Sequence, residues 1–298
     1  MRFLSVLLLS TILVAASSSA GFSLEKEHSI HPPYGDITPI LPAALDVSPT
    51  GHLYLLNARL AVIIKMTRDG EVIRQIGGPG SGAEQFSDPA DLCAISGLNV
   101  YVADRGNDRI VRFDRELTYL AAFKSLEGTS FDLTFEFPQS VLIGLLGDLY
   151  IGDGGNDRIL KIDPEGRPAF SFGEYGGGFG ALAAIQRLEL DPRGGLWALD
   201  QEGQVTRFDE FGGYLRQLEA VTAGNPTGLA ISNQYVWVSS DSNLWQFDRD
   251  LREITNFTRE QLNLSTDVTL IDLAYRKENL WILDSKGSIH RYKLSPTR

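Results

Sequence analysis

VYVADRGNDRIVRFD (Val100–Asp114) and LYIGDGGNDRILKID (Leu149–Asp163) share an aromatic inside a short β-branched run, an acidic turn and the letters NDRI. A stretch that recurs within one chain is either a site used twice or the trace of a structural repeat. The rest of the sequence decides between them. The same aromatic anchor appears six times, in HLYLLN, NVYVAD, DLYIGD, GLWALD, YVWVSS and NLWILD. The anchors are Tyr54, Tyr101, Tyr150, Trp197, Trp237 and Trp281, with spacings of 47, 49, 47, 40 and 44 residues. A unit of this length, repeated six times, is the sequence signature of a stacked or radial array.

Each anchor is followed after a turn by a second strand-like column: VIIKMT, RIVRFD, RILKID, QVTRFD, NLWQFD and SIHRYK. These alternate apolar with polar residues, the period of a half-buried strand. A short apolar column precedes each anchor (ALDVS, DLCAI, SVLIG, RLELD, GLAIS, DLAY), and a more polar fourth column follows in five units. Four strands per unit, lettered a to d, predict an all-β, six-bladed propeller of four-stranded antiparallel blades. The blades start near residues 44, 90, 139, 185, 227 and 271. The sixth unit ends after its third strand, leaving an unprotected edge. FSLEKEHSI (Phe22–Ile30) is the available segment, and the expectation is that this N-terminal strand pairs outside Ser288–Leu294 and closes the ring.

Residues 1–20, MRFLSVLLLSTILVAASSSA, read as a cleaved signal peptide: one basic residue, an apolar run too short to span a bilayer, then small residues. The mature chain, residues 21–298, is thus expected to be secreted or periplasmic, with no membrane insertion. It carries 26 Lys and Arg against 38 Asp and Glu once Arg2 is removed. An acidic surface of this kind repels phosphate backbones, which argues against a nucleic-acid partner. The single cysteine, Cys93, sits in an apolar run and reads as a buried, inert thiol. Asn256 and Asn263 each begin an Asn-x-Ser/Thr triplet.

Units two and three, FSDPADLCAISGLNVYVADRGNDRIVRF and FPQSVLIGLLGDLYIGDGGNDRILKI, resemble the NHL-repeat family of six-bladed β-propellers. They share a Phe-x-x-Pro lead-in, an apolar strand, an aromatic strand ending in Asp, and Asn-x-Arg-Ile. The glycine stretches IGGPGSGAEQF and FGEYGGGFGAL resemble that family's links between blades. Units one, four, five and six depart from the pattern in the turn. The resemblance implies the propeller fold. Enzymes related to this family imply two metal chemistries, a zinc site of channel histidines or a divalent cation, such as calcium, held by carboxylates at the channel mouth. The four histidines of the mature chain, His28, His31, His52 and His290, fall on segments that do not converge on a channel.

In NDRI, Asp104 and Asp153 end strand b, Asn107 and Asn156 suit left-handed backbone, and Arg109 and Arg158 lie within reach of the carboxylates. These six residues read as a structural turn staple. Function is sought instead where the copies differ. Aligning the start of strand a places Ala44, Asp91, Ser140, Arg187, Gly228 and Asp272 in one ring, preceded by Ala43, Ala90, Gln139, Gln186, Thr227 and Ile271. Asp91 and Asp272 should share one side of the channel mouth with Arg187 across from them. The candidate ligand-binding residues are therefore Asp91, Gln139, Ser140, Gln186, Arg187 and Asp272, with no catalytic set. The functional expectation is a monomeric, non-enzymatic scaffold with no cofactor. It recognises an extracellular or periplasmic protein, peptide or glycan through the channel mouth and the b–c and d–a loops. The alternative is a divalent-metal-dependent hydrolase or lactonase using Asp91 and Asp272.

Overall fold

The structure, a computed structural model, describes residues 16–17, 22–38, 41–124, 134–174, 176, 178–218 and 224–296. Most of residues 1–20, the expected signal peptide, lies outside them. Strand a of the six blades spans Pro42–Val47, Pro89–Cys93, Pro138–Ile143, Ile185–Leu190, Pro226–Ile231 and Leu270–Arg276. Strand b spans Leu53–Asn57, Asn99–Asp104, Leu149–Asp153, Leu196–Asp200, Tyr235–Ser240 and Asn279–Asp284. Strand c spans Val62–Met66, Arg109–Asp114, Arg158–Ile162, Val205–Phe208, Asn243–Asp248 and Ile289–Pro296. Each of blades one to five adds an outer strand d: Val72–Gly77, Tyr119–Lys124, Pro168–Phe172, Tyr214–Leu218 and Glu253–Thr258. Each sheet runs a-b-c-d with antiparallel neighbours, and the a strands touch in cyclic order, the sixth against the first. This is the six-bladed propeller that the repeat predicts.

Blade six takes its outer strand from the other end of the chain. Phe22–Ile30 pairs antiparallel with Ile289–Pro296, from Phe22 opposite Pro296 to Ile30 opposite Ile289, with one irregularity between Lys26 and His28. Ala16–Ser17 bridges to Leu24 and Ser23 beyond it. The closing strand is keyed into both neighbours. Leu24 packs in the cluster that holds Tyr292, Leu262 and Phe257, and Ile30 packs with Trp281, Leu45 and Met66. Tyr34, buried just past the strand, donates its hydroxyl proton to the Gly287 carbonyl at 2.6 Å.

The core lies between blades, because each sheet has two faces and both meet a neighbour. The residue after each anchor aromatic, Leu55, Val102, Ile151, Ala198, Val238 or Ile282, is completely buried. Outer strands are half-exposed, as strand d of blade one shows with Ile73, Arg74 and Gln75 in solvent. Gly228 marks a close approach: a Cβ there would stand 2.8 Å from the Leu273 backbone nitrogen, so blades five and six meet only because that position carries no side chain.

Candidate functional site

Strand a carries the same defect in every blade. The a–b register slips by one residue at Ala43, Ala90, Gln139, Gln186, Thr227 and Ile271. A bulge at this point bends the strand and re-aims the side chains beside it, which sets the ring that follows. Gln139 accepts a hydrogen bond from Arg105 at 2.9 Å on its Oε1, and Arg105 also pairs with Asp88. Gln186 gives its carbonyl to Arg187 while its own Oε1 is buried without a partner.

Four of the predicted residues meet in the channel. Arg187 extends from blade four to blades six and one. Its Nε donates to Asp272 Oδ1 at 3.1 Å and a terminal nitrogen donates to the Ala43 carbonyl at 2.6 Å. Asp272 Oδ2 accepts from the Leu45 backbone at 2.9 Å, so the carboxylate is used on both sides. Asp91 accepts from Ser140 Oγ at 2.5 Å and from the Val141 backbone at 3.1 Å, and Ser140 in turn accepts from the Leu188 backbone. The expected separation into an acidic half and an open cationic pole is therefore replaced by an ion pair across the channel, since the guanidinium is long enough to span it.

Two residues deeper on the same strand face lie groups that the alignment missed, Asp46 and Glu189. Asp46 accepts from the Val47 and Ala94 backbones, both at 2.6 Å, and Arg276 donates to the Val47 carbonyl nearby. Strand period two could have found them, but only two of the six copies are charged at this level. The cavity between the layers measures about 20 Å³ and is lined by Asp46, Asp91, Cys93, Arg187, Glu189 and Asp272 among others. It has room for about one water.

Burial dominates the electrostatics here. It pushes Asp91 up to about 7 despite the Arg187 charge, and Asp272 adds to the rise. Asp46 and Asp272 are raised by burial too, and Glu189, with three carboxylates around it, is raised well above the usual range. Burial opposes the charge of Arg187, but Asp272 and Asp91 outweigh it and hold the guanidinium protonated. Burial also raises the Cys93 thiol, which makes it a poor nucleophile. Among the described residues no group of three or more His, Cys, Asp or Glu stands close enough to hold a metal ion. A divalent cation at this mouth would compete with Arg187 for Asp272, and the donor set does not fit one.

The NDRI residues form a staple between consecutive blades. Asp104, fully buried, accepts from the Ser87 backbone at 2.7 Å, from Asn107 at 2.8 Å and from Arg109 Nε at 2.7 Å. Arg109 also donates to the Ser81, Gly82 and Gln85 carbonyls, and Asn107 to Gly80, so the glycine-rich crossing IGGPGSGAEQF is fastened to the b–c turn of the next blade. Asp153, Asn156 and Arg158 repeat this, reaching Glu136 and Thr134. One detail differs from expectation. The left-handed residue is Asp108 or Asp157, both at φ 48°, and not Asn107 or Asn156, whose amides serve the carboxylate instead. Asn107→Ala is expected to lower stability by about 1–2 kcal/mol, read from a urea midpoint, because it strips Gly80 and Asp104 of a donor.

His290 presents the parts of a nucleophilic set away from the channel. Ser29 Oγ lies 2.9 Å from its Nδ1 and Asp284 Oδ2 lies 3.0 Å from its Nε2, with the His31 ring 6.0 Å away. Ser29 is the cross-strand partner of His290 in the closing seam, and the ring is buried, which lowers its pKa. Asp284 ends strand b as Asp104 does and accepts from the Lys286 and Ser288 backbones. In blade six Ser288 stands at the position of Arg109, and His290, at the position of Val111, supplies the side-chain contact to the carboxylate.

The face built from a–b and c–d loops has its own repeated device. The anchor aromatic of strand b stands directly opposite a basic residue of strand c in five blades: Tyr54 and Lys65, Tyr101 and Arg112, Tyr150 and Lys161, Trp197 and Arg207, Trp281 and Arg291. The cation rests over the ring in each case. On this face the turn tips of blades two, three and four expose Leu98, Leu145, Leu146 and Phe211, between 65% and 80% accessible. Two grooves flank Leu145, one of about 460 Å³ between blades two and three and one of about 220 Å³ between blades three and four. The opposite face, favoured by the sequence reading, exposes Leu41 and Phe137 at the starts of strand a.

The NHL-repeat family profile matches residues 86–113. Human NHL repeat-containing protein 3 is 38% identical over 81 residues, which make up 25% of this chain and 22% of that protein. Among solved structures, a streptogramin B lyase superposes with a TM-score of 0.65 at 14% identity, covering 94% of this chain and all of that one. A catalytically inactive virginiamycin B lyase from Staphylococcus aureus, solved with quinupristin, gives 0.63 at 16% identity over 91% of this chain and 99% of that one. A gluconolactonase from Xanthomonas campestris gives 0.67 at 14% identity over 94% and 92%. At such identities the likeness shows the fold alone.

Proposed function

From the premise that this chain is a six-bladed β-propeller carrying an NHL repeat, we propose that it is an exported, monomeric, non-enzymatic scaffold. It binds a protein or peptide partner on the face formed by the a–b and c–d loops of blades two to four. The observation that carries this reading is the set of leucines at the tip of one turn. Gly144-Leu145-Leu146-Gly147-Asp148 closes tightly, with the Gly144 nitrogen donating to the Asp148 carbonyl at 2.8 Å, and neither leucine is needed to fill a core. Paired exposed leucines beside two grooves suit apolar side chains better than sugar hydroxyls, and loops on a rigid scaffold are where such recognition resides. The acidic balance disfavours nucleic acid, and the leader supports export. The channel favours scaffold over hydrolase, because Asp91, Ser140, Arg187 and Asp272 are each committed to a neighbour and the donor set does not fit a metal.

A displayed random-peptide library tests this. Wild-type protein is expected to enrich apolar peptides that the Leu145→Glu, Leu146→Glu double variant, of unchanged melting temperature, does not retain. Equal recovery on both proteins, or no enrichment on either, would overturn the reading.

A further inference from the structure

The aromatic–basic device of this face is complete at two junctions and open at one. In blade one the Lys65 amine and the Tyr54 hydroxyl both donate to the Arg115 carbonyl, at 2.8 and 2.9 Å, in the c–d turn of blade two. In blade three Lys161 and Tyr150 donate in the same way to the Glu210 carbonyl of blade four, at 2.9 and 3.4 Å. Blade two presents the matching pair, Tyr101 and Arg112, towards the turn of blade three, where the residue in the position of Arg115 and Glu210 is Pro164. There the contact is not made. Among the described residues neither the Tyr101 hydroxyl nor the Arg112 guanidinium has a hydrogen-bond partner, and Arg112 Nε is buried and unpaired. The 460 Å³ groove occupies the gap, with Tyr101, Arg112, Asn99, Leu98, Leu145 and Pro164 along it.

We propose that this groove captures the C-terminal carboxylate of an apolar peptide, a reading that rests on the binding face argued above and names its ligand chemistry. A planar guanidinium recognises a carboxylate through two parallel hydrogen bonds, and Arg112 is held for that task over the Tyr101 ring, its Cζ 5.9 Å from the centroid. Among the described residues the guanidinium makes no hydrogen bond in the free protein, so its terminal nitrogens are free to take an acceptor that enters the groove Arg112 lines. The Tyr101 hydroxyl supplies a further donor to the same carboxylate, as Tyr54 and Tyr150 do to a carbonyl. Leu98 and Leu145, both exposed, flank the approach and receive the apolar side chains. A chain end is favoured over an internal acidic side chain because Tyr101 and the Arg112 Nε are buried, and a terminal carboxylate approaches such donors with backbone on one side only. The volume suits a few residues rather than a folded domain.

The test compares acetyl-Gly-Ser-Gly-Leu-Leu-Leu as free acid, the same peptide as C-terminal amide, and an amidated peptide with an internal Glu, by calorimetry on the full-length mature protein. The free acid is expected to bind at least about tenfold more tightly than the amide, a preference that Arg112→Gln abolishes and Arg112→Lys only weakens. Tyr101→Phe should reduce it while leaving the ring in place, and circular dichroism establishes that each variant is folded. Equal binding of acid and amide to wild type, binding of the internal-Glu peptide as tight as that of the acid, or no binding of any of them overturns the assignment. If the library selection still depends on Leu145 and Leu146 but shows no free-acid preference, the binding face stands and the carboxylate site falls. Loss of both overturns the face itself.

Discussion

A chain lacking residues 22–38 is expected to show no cooperative unfolding transition and to elute as aggregate. The segment supplies the outer strand of blade six across eight cross-strand pairs. It also buries Leu24, Ile30 and Tyr34, worth roughly 1.5–3 kcal/mol each. Domains of this kind are typically stable by about 5–15 kcal/mol, so these side chains and the ladder together are comparable with the whole. The loss is not confined to one blade. Leu24 faces the cluster shared with blade five and Ile30 the one shared with blade one, where a Cβ on Gly70 would stand 2.3 Å from the Ile30 Cγ2. Strand c of blade six would be left as an open edge on an apolar sheet, the usual template for intermolecular pairing. A synthetic peptide of residues 21–38 added during refolding should restore a monomeric, cooperatively melting species. A truncated chain that melts within a few degrees of the full one would mean that the ring does not depend on its closing strand.

Both ends of that seam were legible in the sequence for the same reason: a repeat has a fixed number of strands, so a missing one is visible and its donor can be sought. The turn staple was equally legible, because Asp104, Asn107 and Arg109 lie within six residues and the hydrogen bonds among them are local. What was misplaced there was a single backbone conformation. A short 3₁₀ turn at Arg105–Asn107 pushes the left-handed residue on to Asp108, and residue type alone does not locate the end of such a turn. The channel was legible in membership but not in arrangement. Alignment brings Asp91, Ser140, Arg187 and Asp272 to one level, while whether a guanidinium on blade four reaches a carboxylate on blade six depends on the radius of the ring. The groove beside Arg112 was the least accessible to sequence reasoning, because it consists of a contact that two junctions make and a third, with proline in the turn, does not.

Arg187→Met is expected to cost about 3–5 kcal/mol at pH 8 and markedly less at pH 5. Removing one partner of a buried pair leaves the other as an uncompensated charge, and here Asp272 loses its ion pair while Asp91 loses a cation that opposes its burial. The pH dependence identifies the cause. Folded-state pKa values of Asp91 and Asp272 lie above their unfolded values, so the folded protein binds the additional protons. The stability tied to these groups is complete below about pH 4 and is lost as pH rises through the folded pKa. For Asp91, raised from 3.8 to about 7, the loss between pH 5 and pH 8 comes to about 2–3 kcal/mol in the wild type. Without Arg187 both carboxyls titrate higher still, so Asp91 remains neutral at pH 5 and the cost of ionising the pair grows as pH rises to 8. His290 acts with the opposite sign: burial lowers its pKa, so its contribution is gained as pH rises towards 6.5, and a His290→Gln background isolates the channel. The Asp91→Asn variant should flatten the pH 5 to pH 8 decline by the same 2–3 kcal/mol, and Arg187→Met with Asp272→Leu should recover most of what the single change loses. A loss from Arg187→Met that is equal at pH 5 and pH 8 would mean that the arginine serves by packing alone, and that the channel carboxylates do not depend on its charge.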